Sequence, residues 1–170
     1  MKIILLALPG TDVQQIGTHL ASLTGLAFVD GQELTRKTWG RTPGEIILEY
    51  GEDDFRALEQ KLTSHVLTEL AGAEGGIFAP TSGAFEKRPQ KIPEMTYVYV
   101  RQDLVELARK NGLNAPRSLA LGTPNATFRE LAKKRDQAYS QLADLEIDGN
   151  GKETVDIAHQ IACQISPNAL

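Results

Sequence analysis

The sequence predicts an α/β fold of three layers, with a mostly parallel sheet of about five strands between two layers of helices. Two observations carry this. Short apolar runs alternate with longer amphipathic stretches, and strands joined through helices cross over and lie parallel. The apolar opening run also passes through a Pro-Gly turn into a helical pattern, the sequence form of a strand–loop–helix unit. With 170 residues and no repeat, low-complexity run or linker, one domain over 1–170 is expected.

The elements follow in order. Ile3 to Leu8 reads as a buried strand. Val13 to Leu23 reads as a helix with Val13, Ile16, Leu20 and Leu23 on one face, closed by Gly25. LAFVD (26–30) is a short strand, and Gln32 to Glu49 is helix in two pieces, broken around Gly40 to Pro43. Asp53 to Leu70 is strongly amphipathic, with Phe55, Leu58, Leu62, Val66 and Leu70 as its apolar face. GGIFAP (75–80) is a strand ending in a TSG turn, and MTYVYVR (95–101) is another. Phe128 to Leu142 is helix, LEIDG (145–149) a short strand, and Glu153 to Ile165 a closing helix. The Gly-, Pro-, Asn- and Ser-rich stretch from Asn111 to Pro124 reads as a loop.

Composition narrows the partners. The chain is 41% hydrophobic and 24% charged, with a formal net charge of -4. Nucleic acid and anionic membrane surfaces require a basic face, so neither is expected as a partner. MKIILLAL has a short apolar run followed by a turn rather than a small-residue cleavage site, so it reads as a first strand and not a signal peptide. No run reaches transmembrane length, and a cytoplasmic location is expected. The single cysteine, Cys163, sits in the apolar pattern IAHQIACQI and reads as a small buried core residue. His19, His65 and His159 have no metal-ligand spacing with one another or with Cys163.

Six segments stand in an informative order: LPG (8–10), FVD (28–30), GEDDFRALE (51–59), TSGA (81–84), NAPRSLA (114–120) and KKRDQAY (133–139). Together they resemble the landmarks of the shikimate kinase family, small P-loop proteins with the nucleoside-monophosphate-kinase-like fold. GEDDFRALE resembles that family's G-E-x-x-F-R-x-x-E segment, and KKRDQAY its late R-x-x-x-Y helix. The resemblance covers nearly the whole chain. It implies P-loop kinase topology, a lid at about 111–124 and a place in aromatic amino acid biosynthesis.

The donor side departs from the pattern. A phosphate loop reads G-x-x-x-x-G-K-[ST], because glycines admit backbone amides to the phosphates, lysine neutralises their charge and the hydroxyl holds Mg²⁺. The matching positions run from Ala7 to Gln14, with Asp12, Val13 and Gln14 where the second glycine, lysine and hydroxyl stand. Asp12 brings a carboxylate toward a polyanion, and two like charges about 4 Å apart repel by about 4 kcal/mol at an effective dielectric of 20. Gly10 and Thr11 remain as nucleotide-contact candidates. Lys110 stands near the family's lid arginine, and Asn150-Gly151 near its base-clamping turn.

The acceptor side is better kept. Arg56 and Glu59, three apart on a helix, share a face. By resemblance Arg56 clamps the shikimate carboxylate, Arg135 reads the same carboxylate, and Arg117 spans acceptor and transferred phosphate. Asp30 matches the acidic residue near the metal, the metal-ligand candidate here, while Gln32 replaces the one that handles the substrate hydroxyl. Gln32 can hydrogen-bond a hydroxyl but cannot take its proton. Gly83 alone survives of the family's glycine triad, with Thr81 and Ser82 ahead of it.

The expectation from sequence is therefore a pseudokinase. It would keep a pocket for a small anionic carboxylate such as shikimate, lined by Arg56, Glu59, Gly83, Arg135 and Gln32, with no cofactor. If transfer survives, Asp30 and Arg117 are the catalytic candidates. The chain is then an atypical shikimate kinase that uses ATP and Mg²⁺ to phosphorylate the 3-hydroxyl. A third reading is a scaffold that binds a protein partner.

Overall fold

The computed structural model describes residues 1–86, 90–111 and 125–166, with side chains from 108–111 and 125–128 outside that description. Five strands form one all-parallel sheet: β1 (Lys2–Ala7), β2 (Phe28–Asp30), β3 (Gly76–Ala79), β4 (Met95–Arg101) and β5 (Leu145–Asp148). Their order is β2-β3-β1-β4-β5. β1 pairs with β3 from Lys2 against Gly76 and with β4 from Lys2 against Met95 to Ala7 against Val100. The described helices are α1 (Val13–Thr24), α2 (Gly31–Trp39), α3 (Pro43–Tyr50), α4 (Glu52–Gly72), α5 (Leu104–Asn111), α6 (Asn125–Leu142) and α7 (Thr154–Ile165).

Strand periodicity divides the core in two. Ile3 and Leu5 of β1 point to one face, where they meet Ile16 and Leu20 of α1 and Ile157 and Ile161 of α7. Ile4 and Leu6 point to the other, against Val66 and Leu70 of α4 and Tyr139 and Leu142 of α6. These β1 residues are at most 2% exposed, so the opening run is a central strand.

The helix starts are locally encoded. Thr42 and Glu45 form a reciprocal capping box, the Thr42 amide donating to Glu45 at 2.8 Å and the Glu45 amide to Thr42 Oγ1 at 3.3 Å, with Pro43 at the first helical position. Gly40 ends α2 at φ +66, a left-handed conformation that glycine adopts without strain. The break expected around 40–43 lies here.

Three sequence expectations need correction or completion. Cys163 is exposed: α7 turns Ile161 and Ala162 inward, and the next position faces out. The buried stripe of α4 runs through Phe55, Glu59, Thr63, Val66 and Leu70, while Leu58 and Leu62 flank it half-buried. Glu59 sits in that stripe because the N-terminal part of the helix walls a cleft rather than the core. Helix α5 lies where the sequence reading places none; it buries Leu107 but leaves Val105 82% exposed, so its apolar period is weak. The loop expected at 111–124 falls, beyond Asn111, outside the described residues.

Candidate functional site

In parallel α/β sheets, ligands bind beyond the carboxyl ends of the strands, where successive connections diverge. Three segments meet at that edge: the loop after β1, Asp30 at the end of β2, and the turn after β3. Helices α4 and α6 bring the charged side chains to it.

The loop after β1 is a tight turn. The Thr11 amide donates to the Leu8 carbonyl at 3.2 Å, and Gly10 takes φ +95, as the Pro-Gly form of such a turn requires. The Val13 amide donates to the Thr11 carbonyl at 2.8 Å and the Ile16 amide to the Asp12 carbonyl at 3.2 Å. Asp12 caps α1, its carboxylate accepting from the Gln15 amide at 3.1 Å. The Thr11, Val13 and Gln15 amides are thus bonded within the chain, and a carboxylate occupies the positive end of the helix. Thr11 Oγ1 is buried with no partner among the described residues.

Asp30 likewise caps a helix, accepting from the Gln32 amide at 2.9 Å. Burial pushes its carboxyl above the ordinary range, and nearby Glu33 and Asp12 push the same way, against the bonds from the Gln32 and Glu33 amides. The Gln32 side chain is exposed and lines no part of the cavity beside α4.

That cavity, about 410 Å³, is lined by Glu52, Asp53, Arg56, Ala57, Glu59, Gln60, Gly83, Ala84 and Glu86. Arg56 Nη1 donates to Glu59 Oε2 at 2.8 Å, and Glu52 lies 3.5 Å from the same guanidinium. Glu59, 3% exposed, also accepts from the Thr81 hydroxyl. Burial works against the Arg56 charge, but Glu59 more than offsets it and holds the guanidinium charged. Gly83 is tightly constrained: a Cβ there would stand 1.9 Å from Arg56 Nη1.

Arg135 of α6 is 4% exposed. Its Nε donates to Glu86 Oε2 at 3.1 Å and its Nη1 to Ser82 Oγ at 3.3 Å. Burial raises the Tyr139 hydroxyl well above its ordinary pKa; Glu59 and Glu86 push the same way, and Arg135 and Arg56 oppose them. Below them, Tyr99 donates to Asp136 at 2.8 Å and so ties α6 to β4.

Of the sequence-derived residues, the fold brings Arg56, Glu59, Gly83 and Arg135 into one cluster. It keeps the Gln32 side chain out of it. Arg117 lies outside the described residues, as does the Lys110 side chain, although position 110 belongs to α5. Sequence reasoning missed Glu86 and the anchoring role of Thr81. The only hint was a carboxylate three residues past Gly83, in a segment with no periodic pattern. Among the described residues no group of three or more metal-ligating side chains occurs, and no helix is long and apolar enough to cross a membrane.

Comparison with known proteins gives the family and the fold. The sequence model of the shikimate kinase family matches residues 14–166. A shikimate kinase of Salinispora arenicola is 30% identical over 165 residues, covering 96% of each chain. One from Rhodococcus jostii is 27% identical over 168 residues, 97% of this chain and 98% of the relative. Among solved structures, a shikimate kinase from Acinetobacter baumannii in complex with shikimate superposes with a TM-score of 0.77 at 26% identity, covering 100% of this chain and 96% of that one.

Proposed function

The chain belongs to the shikimate kinase family, and on that footing we propose that it is an atypical shikimate kinase whose acceptor half is intact and whose donor half is impaired. It takes shikimate or a close hydroxy-carboxylate in the cavity beside Arg56, and its reaction is ATP-dependent phosphorylation of a ring hydroxyl. One observation carries the acceptor assignment. Arg56 is held by Glu59, itself fixed by Thr81, directly over the bare backbone of Gly83. Such an arrangement presents a preorganised guanidinium to a small carboxylate. The names and near-complete coverage of the relatives support the reaction.

The loop after β1 limits the rate. Phosphoryl transfer rests on positioning and charge neutralisation. Losing one such electrostatic group commonly costs about 3 to 4 kcal/mol, or roughly a hundredfold to a thousandfold in rate. These losses do not simply add. Asp12 on the α1 terminus favours a second reading, in which transfer is lost and the chain is a carboxylate-binding pseudokinase.

Calorimetric titration with shikimate and a coupled ADP-release assay separate these readings. An atypical kinase binds shikimate and releases ADP slowly with Mg²⁺ and ATP, and the activity disappears in Arg135→Ala. Shikimate binding with ADP release equal to the enzyme-free control selects the pseudokinase. No binding of shikimate at millimolar concentration overturns both and leaves a scaffold that acts through a protein partner.

A further inference from the structure

The arginine–carboxylate pairs of the acceptor site are not equivalent. Glu59 is 3% exposed and bonded to both Thr81 and Arg56, so it is a fixed part of the wall. Glu86 lines the cavity, its side chain 24% exposed, in the segment that follows β3. Its partner Arg135 is 4% exposed and is not itself among the lining residues. A carboxylate entering from the cavity therefore meets Glu86 before it reaches the Arg135 guanidinium. Arg135 already gives its Nε to Glu86 and its Nη1 to Ser82.

We infer that Glu86 is a built-in competitor for the ligand's carboxylate and thereby sets the affinity of the acceptor pocket. This rests on the acceptor-site reading given above. A guanidinium has five N–H donors and can hold two carboxylates, but the two then repel one another across one cation. Occupying the site means either sharing Arg135 on those terms or displacing Glu86 from a charge-assisted bond. Arg56 is held differently: Glu59 is fixed by Thr81, and Glu52, 3.5 Å from the same guanidinium, has a side chain 70% exposed that can turn into solvent. The pocket thus holds one guanidinium whose cavity-side acid is exposed and loosely held, and one whose acid is half-buried against it. Glu86 is an affinity-determining residue that acts against any carboxylate entering the pocket, shikimate included.

The test measures shikimate binding by calorimetry to the full chain and to Glu86→Gln. Removing the competing charge raises affinity by about tenfold, the scale of one charge-assisted hydrogen bond. The methyl ester of shikimate, which lacks the carboxylate, binds both proteins equally. Glu86→Asp retracts the acid by one methylene and gives an intermediate gain; it also serves if the glutamine variant folds poorly. Glu86→Gln melts lower than the unmodified chain without ligand, because Arg135 loses its ion-pair partner, yet gains more from added shikimate. Equal or weaker shikimate binding by Glu86→Gln overturns the inference alone and makes Glu86 a residue that orients Arg135. Absence of binding by every variant and by the unmodified chain overturns the acceptor-site reading and this inference with it.

Discussion

Asp12 carries two opposed consequences at one position. Its carboxylate satisfies the Gln15 amide and lies at the positive end of α1, which stabilises the helix. The same charge repels a phosphate placed there. Substitutions separate the two effects. Asp12→Ala removes the cap and costs about 1 kcal/mol of stability, read as a lower midpoint in urea unfolding. Asp12→Asn keeps a capping oxygen and removes the charge. It leaves stability within about 0.5 kcal/mol, since Asn and Asp cap equally well, and raises affinity for ATP-Mg²⁺ in a calorimetric titration. Equal ATP affinity in the two proteins places the obstacle in the turn geometry of Leu8 to Thr11 rather than in the carboxylate. Gly10 illustrates what single positions convey in a sequence. Pro-Gly announces a tight turn, and a tight turn is found, but the internal bonding of the Thr11, Val13 and Ile16 amides depends on the turn's closure and has no signature of its own.

At the scale of elements, the site depends on how α2 seats against the end of β3. Gly31, the first residue of α2, has no room for a side chain: a Cβ would stand 2.9 Å from the Ala79 carbonyl oxygen and 3.0 Å from the Thr81 amide nitrogen. Both are backbone atoms and cannot rotate away. Gly31→Ala forces the helix off the strand end, at a cost of about 2 kcal/mol typical of overpacking. It also moves two neighbours together, Asp30 as the α2 cap and Thr81 as the anchor of Glu59. The variant therefore loses both melting temperature and shikimate affinity; retained affinity shows that Thr81 is held independently of α2. Element types and order were legible because period and punctuation agree along most of the chain. Faces were less so. A helical wheel places Leu58 and Leu62 in the core stripe of α4, but tertiary packing rotates that stripe toward Glu59 and Thr63, and at Glu59 the N-terminal part of the helix walls a cleft.

Across the whole molecule, the three-layer architecture was readable because alternating strands and helices admit few alternatives, and Arg56 and Arg135 could be singled out because the motif segments GEDDFRALE and KKRDQAY carry them. The contact between Glu86 and Arg135 joins residues 49 apart in sequence through a segment without periodicity, so nothing local encodes it. Global stability against pH draws on similarly distant pairs, and two carboxyls shape it with opposite signs. Asp144 accepts from the Tyr97 amide at 2.9 Å and pairs with Lys91, tying the start of β4 to the end of α6. Burial works against its charge, yet Lys91 and the Tyr97 amide hold its carboxyl below the ordinary value of 3.8. A depressed folded-state pKa gives stability that is present above the unfolded value and lost as pH falls through the folded one. The Asp144–Lys91 side chains are 41% and 44% exposed, so solvent screening limits the pair to under about 1 kcal/mol. Asp30 acts the other way: burial raises its carboxyl, so its contribution declines as pH rises through the region above 3.8. Thermal unfolding across that range tests both. Asp144→Asn lowers the melting temperature at neutral pH by about 2 to 4 °C at most, the scale of 1 kcal/mol for a chain of this size, and the gap closes in acid. Asp30→Asn, which keeps the cap, narrows its deficit or gains on the unmodified chain as pH rises from 4 toward neutrality. Parallel curves for Asp30→Asn and the unmodified chain would show that the Asp30 carboxyl is as well solvated folded as unfolded, and that burial at the end of β2 places no strain on its charge.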